Sequence, residues 1–221
     1  MKEKIRFSWD LHWNCNFRCP YCWWHGKWDE FSKRSVYPGL EKLIQVWKRI
    51  YDLYGECHLE IAGGEPSIYP DFEDFILELL NYHTVSIMTN LSGSFDKLIN
   101  DKTGKVIERF KMGATFHPLF AKIEEFLPKA KKIRQAGMSI GVLYLSYPPQ
   151  IKDIPRLKKL FADNDIYYST STFWGIYNGK KYPDSYTDEE KKIIGIAIGE
   201  RENKKFQTEP LITKGKLCNA G

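Results

Sequence analysis

The sequence contains no long apolar run. No segment of its 221 residues is apolar over the roughly 20 residues that a membrane-spanning helix needs. The N-terminus also lacks the continuous apolar stretch and the small-residue cleavage site of a signal peptide. These absences argue against a membrane protein and a secreted protein, so we expect a cytoplasmic protein with one globular α/β domain as the simplest organisation.

The sequence also has few cysteines and a small net charge. There are five cysteines, an odd number, and three of them fall within eight residues, which favours metal ligation in a reducing compartment over a disulfide framework. The net charge of +5 is mild, and many lysines lie in helix-like runs such as LPKAKKIRQ, where they form a solvated face. No basic motif interleaved with aromatic residues is present, which argues against a nucleic-acid-binding protein.

Strand and helix patterns alternate along most of the chain. The predicted strands cover residues 5–11, 57–63, 84–90, 113–118, 139–145 and 166–171, and the predicted helices cover residues 40–53, 71–81, 95–99 (or 95–110), 121–135 and 155–161. Residues 12–38 are expected to form a long functional loop. Six β/α steps predict a parallel sheet, either doubly wound or curled into a barrel, and periodicity does not distinguish the two.

A compact cysteine motif follows the first predicted strand. Cys15, Cys19 and Cys22 have the spacing C-x3-C-x2-C, which lets three thiolates converge on one inorganic centre. Three ligands are one fewer than a ferredoxin-type cluster uses, so one iron stays open to an exogenous ligand such as the amine and carboxylate of an amino acid. The alternative is a structural zinc site with His25 as fourth ligand, although this spacing is not usual for a zinc ribbon.

A second motif, Gly63-Gly64-Glu65-Pro66, ends the second predicted strand. Two glycines let the backbone approach a ligand closely, and the glutamate carboxylate can accept a hydrogen bond from an ammonium group. The alternative is an ordinary turn between a strand and a helix. Because both motifs follow consecutive strands, we expect them to meet at the edge where α/β folds bind their ligands.

The same edge supplies weaker candidates. Thr89, Asn90 and Ser92 end the third predicted strand, and Thr115 and His117 lie on the fourth. Each has the alternative of being an ordinary polar residue at a strand end, and His117 of being a histidine satisfied in the core or a turn.

Tryptophans follow the third motif cysteine. Trp23, Trp24 and Trp28 are expected to lie over the cysteine loop, either shielding it from solvent or packing it onto the fold, with packing the favoured alternative. Cys57, inside a predicted strand, is expected to be a small buried hydrophobe.

The cysteine motif and GGEP together resemble the radical S-adenosylmethionine (SAM) superfamily, over residues 5–175 in architecture. That superfamily has this cysteine spacing in the loop after the first barrel strand and an aromatic residue before the third cysteine, the place of Tyr21. The resemblance implies a partial (β/α)6 TIM-like barrel over residues 1–175, a C-terminal appendage over 176–221, and a catalytic [4Fe-4S] cluster. The implied cluster ligands are Cys15, Cys19 and Cys22, and the implied SAM-binding residues are Tyr21, Gly63, Gly64, Glu65, Pro66, Asn90 and Thr115.

The implied chemistry is reductive cleavage of SAM, with an electron from an external donor such as flavodoxin or ferredoxin. A 5′-deoxyadenosyl radical would then abstract hydrogen from a substrate. Cys218 begins a C-x-A-G sequence that looks like the start of the SPASM or twitch auxiliary-cluster region. This likeness suggests a peptide or protein substrate and a chain cut short at its C-terminus.

Three alternatives remain open. The chain could be a small stand-alone radical SAM protein, such as a glycyl-radical activase or a deazapurine synthase. It could be a non-catalytic zinc-binding module with a mildly basic surface, which would make GGEP accidental. A degenerate or truncated homologue that binds a cluster without turnover is the third.

Overall fold

Six parallel strands form one sheet in which the strands follow the order of the chain. The computed structural model describes residues 4–195. The strands are β1 (Arg6–His12), β2 (His58–Gly63), β3 (Thr84–Thr89), β4 (Phe110–Thr115), β5 (Ser139–Leu145) and β6 (Tyr167–Ser171). A doubly wound sheet reverses its strand order at a switch point, and this sheet does not. The fold is therefore a partial (β/α)6 barrel, one of the two predicted alternatives.

Helices connect the strands. They are α1 (Trp28–Lys33), α2 (Leu40–Tyr54), α3 (Phe72–Leu79), α4 (Asp96–Ile99), α5 (Lys105–Arg109), α6 (Ile123–Gln135) and α7 (Ile154–Ala162), with 3-10 turns at Pro66–Ile68 and Pro148–Asp153. Right-handed crossovers without a reversal carry the helices to one face of the sheet. Aromatic rings fill that interface: the Trp9 ring lies 5.2 Å from Trp47 and 5.9 Å from Phe75. None of the described helices is long and apolar enough to cross a membrane.

The fourth strand differs from the prediction. It begins at Phe110, three residues before the predicted start, and ends at Thr115, so His117 lies beyond the strand. The extended helix over residues 95–110 is wrong, because α4 and α5 are separate short helices. Gly104 stands between them with a φ of 79°, a left-handed conformation that suits glycine. The deciding pattern is the period-two burial of Phe110, Met112 and Ala114.

Two further regions carry more structure than expected. The predicted loop over residues 12–38 contains helix α1. After β6 the chain forms an antiparallel hairpin of β7 (Gly175–Tyr177) and β8 (Lys180–Tyr182), then helix α8 (Asp188–Ile194). Cys218 lies outside the described residues.

The sheet face opposite the buried core carries a polar row near the amino ends of the strands. The strand register aligns a row of five side chains across β1 to β5, and these residues are half-buried or exposed: Ser8, Glu60, Ser86, Lys111 and Ser139. Beside them, the His58 ring hydrogen-bonds the Thr84 hydroxyl at 2.9 Å and the Ser86 hydroxyl at 3.1 Å. Farther along the same face, toward the carboxyl ends of the strands, lie the less polar residues Met88, Gly113 and Leu143.

Tyr186 ties the segment after β6 to the barrel. Its hydroxyl donates to the Ser146 carbonyl at 2.6 Å and accepts from the Phe173 amide at 3.1 Å, and all three residues are buried. Replacing Tyr186 by phenylalanine leaves that amide and carbonyl unpaired, so we expect a loss of about 2 kcal/mol in unfolding free energy. Thermal unfolding should show a midpoint lower by about 5 °C. Tyr167→Phe, at an exposed ring, is the control expected to change little.

Candidate functional site

The cysteine loop leaves the carboxyl end of β1 as a series of tight turns. The Cys22 amide donates to the Cys19 carbonyl at 3.0 Å, and the His25 amide donates to the Cys22 carbonyl at 3.0 Å. All three motif cysteines are free thiols; Cys19 is buried, and Cys15 and Cys22 are half-buried. The turns therefore present three reduced sulfurs from one short stretch of chain.

The surroundings of these sulfurs suit thiolate ligands. The Phe17 amide donates to the Cys15 sulfur at 3.4 Å, and the Trp24 amide donates to the Cys22 sulfur at 3.5 Å. Such N–H···S contacts stabilise thiolates and tune iron–sulfur clusters. Burial raises the pKa of the Cys15 thiol and raises the pKa of the Cys19 thiol to about 12. A metal centre supplies the positive charge that deprotonates such thiols.

The donor set fits an iron–sulfur cluster better than a single ion. Within residues 4–195, no group of three or more His, Cys, Asp or Glu side chains is arranged to hold one metal ion. His25 packs edge-on against Trp28, with ring centroids 5.1 Å apart. In a cluster each thiolate binds a different iron, so the three sulfurs need not meet at one point. The zinc alternative needs His25 as its fourth ligand, and in the described part of the chain this ring packs against Trp28.

The two glycines of the second motif are needed because the cysteine loop passes against them. The Gly64 amide donates to the His12 carbonyl at 2.8 Å, and the Glu65 amide donates to the Asn14 carbonyl at 2.9 Å. A Cβ at Gly63 would clash with the His12 carbonyl, and one at Gly64 would clash with the Asn14 carbonyl. The close approach is thus to the backbone of the cysteine loop.

Glu65 is a buried carboxylate with several protein donors. Its side chain is 1% exposed. One oxygen accepts from the Ser67 amide at 3.0 Å, the Ser67 hydroxyl at 2.6 Å and the Thr89 hydroxyl at 2.6 Å, and the other accepts from the Asn90 amide at 2.6 Å. The carboxylate therefore ties the end of β2 to the end of β3. Pro66 is buried and starts the 3-10 turn that follows.

Asn90 joins this network to the cysteine loop. Its side-chain amide donates to the Asn16 side-chain carbonyl at 3.0 Å, and its own carbonyl accepts from the Ser92 amide at 2.9 Å. Thr115 ends β4 half-buried, with its hydroxyl 3.4 Å from the Met88 sulfur. The structure brings Asn90 against the loop and places Thr115 beside Met88. Asn16 was not among the candidates predicted from the sequence, although it stands inside the cysteine motif.

Beyond β4, His117 lies against the middle of the cysteine motif. Its ring stacks on Tyr21 at an interplanar angle of 17°. Its Nδ1 lies 3.1 Å from the Tyr21 hydroxyl and 3.6 Å from the Cys19 sulfur. Burial lowers the pKa of His117 to about 4, so the ring is neutral at neutral pH. Burial likewise raises the pKa of the Tyr21 hydroxyl, which stays protonated.

A small cavity of about 190 Å³ opens beside the cysteine loop. Its lining includes Phe17 of the loop, Asn90 and Ser92 after β3, and Phe120 after β4. Phe17 and Phe120 stack with ring centroids 5.2 Å apart. The cavity brings an apolar wall and polar groups from the strand ends to the same recess.

The tryptophans mostly pack the loop. Trp24 stacks on Phe31 of α1 with ring centroids 5.4 Å apart, and the Arg18 guanidinium lies 5.9 Å from the Trp28 ring. Trp23, by contrast, is 92% exposed. The contacts of Trp24 and Trp28 lie within the loop and α1, so packing of the loop onto the barrel by these rings stays a prediction. Cys57 is fully buried, as expected for a small hydrophobe.

Comparison with known proteins gives short matches in sequence. No protein-family model matches the chain. A segment of 72 residues is 38% identical to GTP 3′,8-cyclase of Vibrio vulnificus (strain YJ016), covering 33% of this chain and 20% of the relative. A segment of 76 residues is 33% identical to the probable GTP 3′,8-cyclase of Archaeoglobus fulgidus, covering 34% and 24%. The chain thus matches about a quarter or less of these relatives' length.

Solved structures match over most of the chain. SuiB from Streptococcus suis superposes with a TM-score of 0.64 at 13% identity, over 87% of this chain and 45% of SuiB. The protein anSMEcpe with bound AdoMet superposes with a TM-score of 0.63 at 17% identity, over 87% of this chain and 56% of that protein. SuiB has also been solved bound to S-adenosylmethionine. The chain therefore shares its partial barrel fold with two proteins that bind S-adenosylmethionine.

Proposed function

We propose that this chain is a radical SAM enzyme whose Cys15, Cys19 and Cys22 hold a [4Fe-4S] cluster. One observation carries the proposal: three free thiols lie on one loop at the carboxyl edge of a partial barrel, and two backbone hydrogen bonds join that loop to residues 63–66. The motif spacing and the SAM-bound neighbours of the same fold support it. The cluster, when bound, supplies the electron that cleaves SAM to methionine and a 5′-deoxyadenosyl radical.

The chain's own residues position this chemistry. The network around Glu65 holds the ends of β2 and β3 together, and Asn90 links that edge to the cysteine loop. Glu65 ties these strand ends together, and its Oε2, which among the described contacts accepts only from the Asn90 amide, can still accept a hydrogen bond from an ammonium group. The residues proposed to form the SAM site are Tyr21, Gly63, Gly64, Glu65, Pro66, Asn90 and Thr115. An external donor such as flavodoxin or ferredoxin would supply the electron.

The proposed substrate is a peptide or protein. SuiB has been solved bound to the precursor peptide SuiA, and anSMEcpe has been solved with the Cp18Cys peptide. These proteins share the fold over 86% or more of this chain.

A nucleotide is the second candidate substrate. The sequence relatives are named GTP 3′,8-cyclase. Lys129 lines the cavity beside the cysteine loop, where an ammonium group can pair with phosphate. Stimulation of SAM cleavage by GTP, and its loss in Lys129→Gln, would favour this candidate over a peptide.

The test of the proposed function uses protein reconstituted anaerobically with iron and sulfide. We expect about four irons and four sulfides per chain, and 5′-deoxyadenosine released from SAM after addition of dithionite. One colourless zinc per chain would favour the binding module. A cluster that never cleaves SAM would favour the degenerate homologue.

A further inference from the structure

His117 is the one distant side chain that reaches both a motif cysteine and its aromatic neighbour among the described contacts. It stands 98 residues from Cys19 and 96 from Tyr21 in the chain, yet one ring nitrogen approaches both. Its contact with Tyr21 is a stack as well as a polar contact, which restricts the orientation of both rings. The stack and the polar contact together therefore fix the position of the His117 ring relative to Tyr21.

A neutral histidine carries one N–H, and its position decides what the ring can do. With the hydrogen on Nδ1, the ring donates toward the Cys19 sulfur at 3.6 Å and the Tyr21 oxygen at 3.1 Å. The Tyr21 hydroxyl, as acceptor of that bond, keeps its own hydrogen for its hydrogen bond with the Cys19 side chain. Two donors can then face one cysteine ligand.

Resting on the proposed function, we propose that His117 and Tyr21 form a hydrogen-bonded pair that raises the reduction potential of the cluster through the Cys19 sulfur. A hydrogen bond to a ligand sulfur offsets part of the negative charge added on reduction, so it favours the reduced form. His117 acts here as a positioning residue, because it touches a cluster ligand and does not touch the reacting atoms. Burial strengthens the effect, since Cys19 is only 7% exposed and water does not screen it.

The test measures the midpoint potential of the reconstituted cluster in a redox titration without SAM, with the EPR signal of the reduced cluster as the readout. His117→Phe keeps an aromatic ring to stack on Tyr21 and removes the donor. We expect its reduction equilibrium constant to fall about tenfold, a shift of about 59 mV to lower potential. His117→Asn places an amide N–H near the position of Nδ1 and should retain most of the wild-type potential.

Tyr21→Phe tests the same pair from the other side. It keeps the ring and removes the hydroxyl, and we expect a fall of similar size. Because the two residues act on one sulfur, the double variant should fall by less than the sum of the single variants. Tyr147→Phe is the matched control: its ring lies 5.0 Å from Tyr21, but it contacts neither Cys19 nor His117 through a hydrogen bond in the described structure.

The outcomes separate the two proposals. Wild-type protein that assembles no iron–sulfur cluster contradicts the proposed function. Wild-type protein that assembles the cluster and cleaves SAM, with unchanged potentials in His117→Phe and Tyr21→Phe, contradicts only the role of His117. If His117→Phe does not assemble the cluster, the midpoint potentials of Tyr21→Phe and His117→Asn test the role of His117 instead.

Discussion

Replacing Cys19 by alanine is expected to abolish both cluster assembly and the release of 5′-deoxyadenosine from SAM. Cys19 is the buried member of the three cysteines, and its side chain is the one that Tyr21 and His117 contact. A cluster with three protein ligands has no spare thiolate in the motif, so the loss of one ligand leaves two. Iron and sulfide content, the brown colour and chromatographic detection of 5′-deoxyadenosine measure the result.

Cys57→Ala is the control for this variant. Cys57 is a fully buried free thiol outside the motif, and its sulfur contacts only the Gly55 carbonyl among the described hydrogen bonds. We expect this variant to keep its iron content and SAM cleavage, with a modest loss of stability from the cavity. Full cluster content and undiminished SAM cleavage in Cys19→Ala would show that the ligands have been assigned wrongly.

Local sequence patterns predicted the parts of this molecule that local chemistry determines. The spacing of Cys15, Cys19 and Cys22 and the GGEP sequence could be recognised because each occupies a few adjacent residues. Five of the six strands were placed within two residues at each end. The fourth strand was predicted to start three residues too late, because residues 95–110 were interpreted as a possible helix that included Phe110. In the structure Phe110 is the first buried residue of an alternating strand pattern.

Contacts between distant residues could not be predicted in the same way. The bonds from Glu65 to Thr89 and Asn90 join residues 24 and 25 positions apart, and the His117 contacts join residues more than 90 apart. They depend on strand order, which periodicity alone did not determine. The sequence suggested that Glu65 could accept a hydrogen bond from an ammonium group, and the structure adds that three of the chain's own residues also donate to this carboxylate.

The role of the two glycines also depends on a contact between residues that are distant in the sequence. From the sequence, two glycines at a strand end suggest a close approach to a ligand. In the structure they permit a close approach to the cysteine loop, so the two motifs pack directly against each other through their backbones. The position of the three sulfurs relative to the barrel edge therefore depends on residues 63–66 as much as on the loop itself.

Gly64→Ala is expected to destabilise the protein and to reduce cluster assembly sharply. The added Cβ would clash with the Asn14 backbone carbonyl, and a backbone group cannot move away by changing rotamer. The loop must shift, which weakens the bonds from the Gly64 and Glu65 amides to it. We expect an unfolding free energy lower by about 3 kcal/mol, measured by denaturant unfolding of the apo protein. Iron content after reconstitution should fall in parallel.

Gly39→Ala separates this effect from the general cost of losing a glycine. Gly39 precedes α2 with a φ of −59°, and a Cβ there meets nothing within 4 Å. Its replacement should cost less than about 1 kcal/mol, mainly through the helix cap, and should leave iron content unchanged. A Gly64→Ala protein as stable as Gly39→Ala, with a full cluster, would show that residues 63–66 do not hold the cysteine loop. A Gly64→Ala protein that is unstable but still binds four irons would show that residues 63–66 contribute to folding and not to cluster assembly.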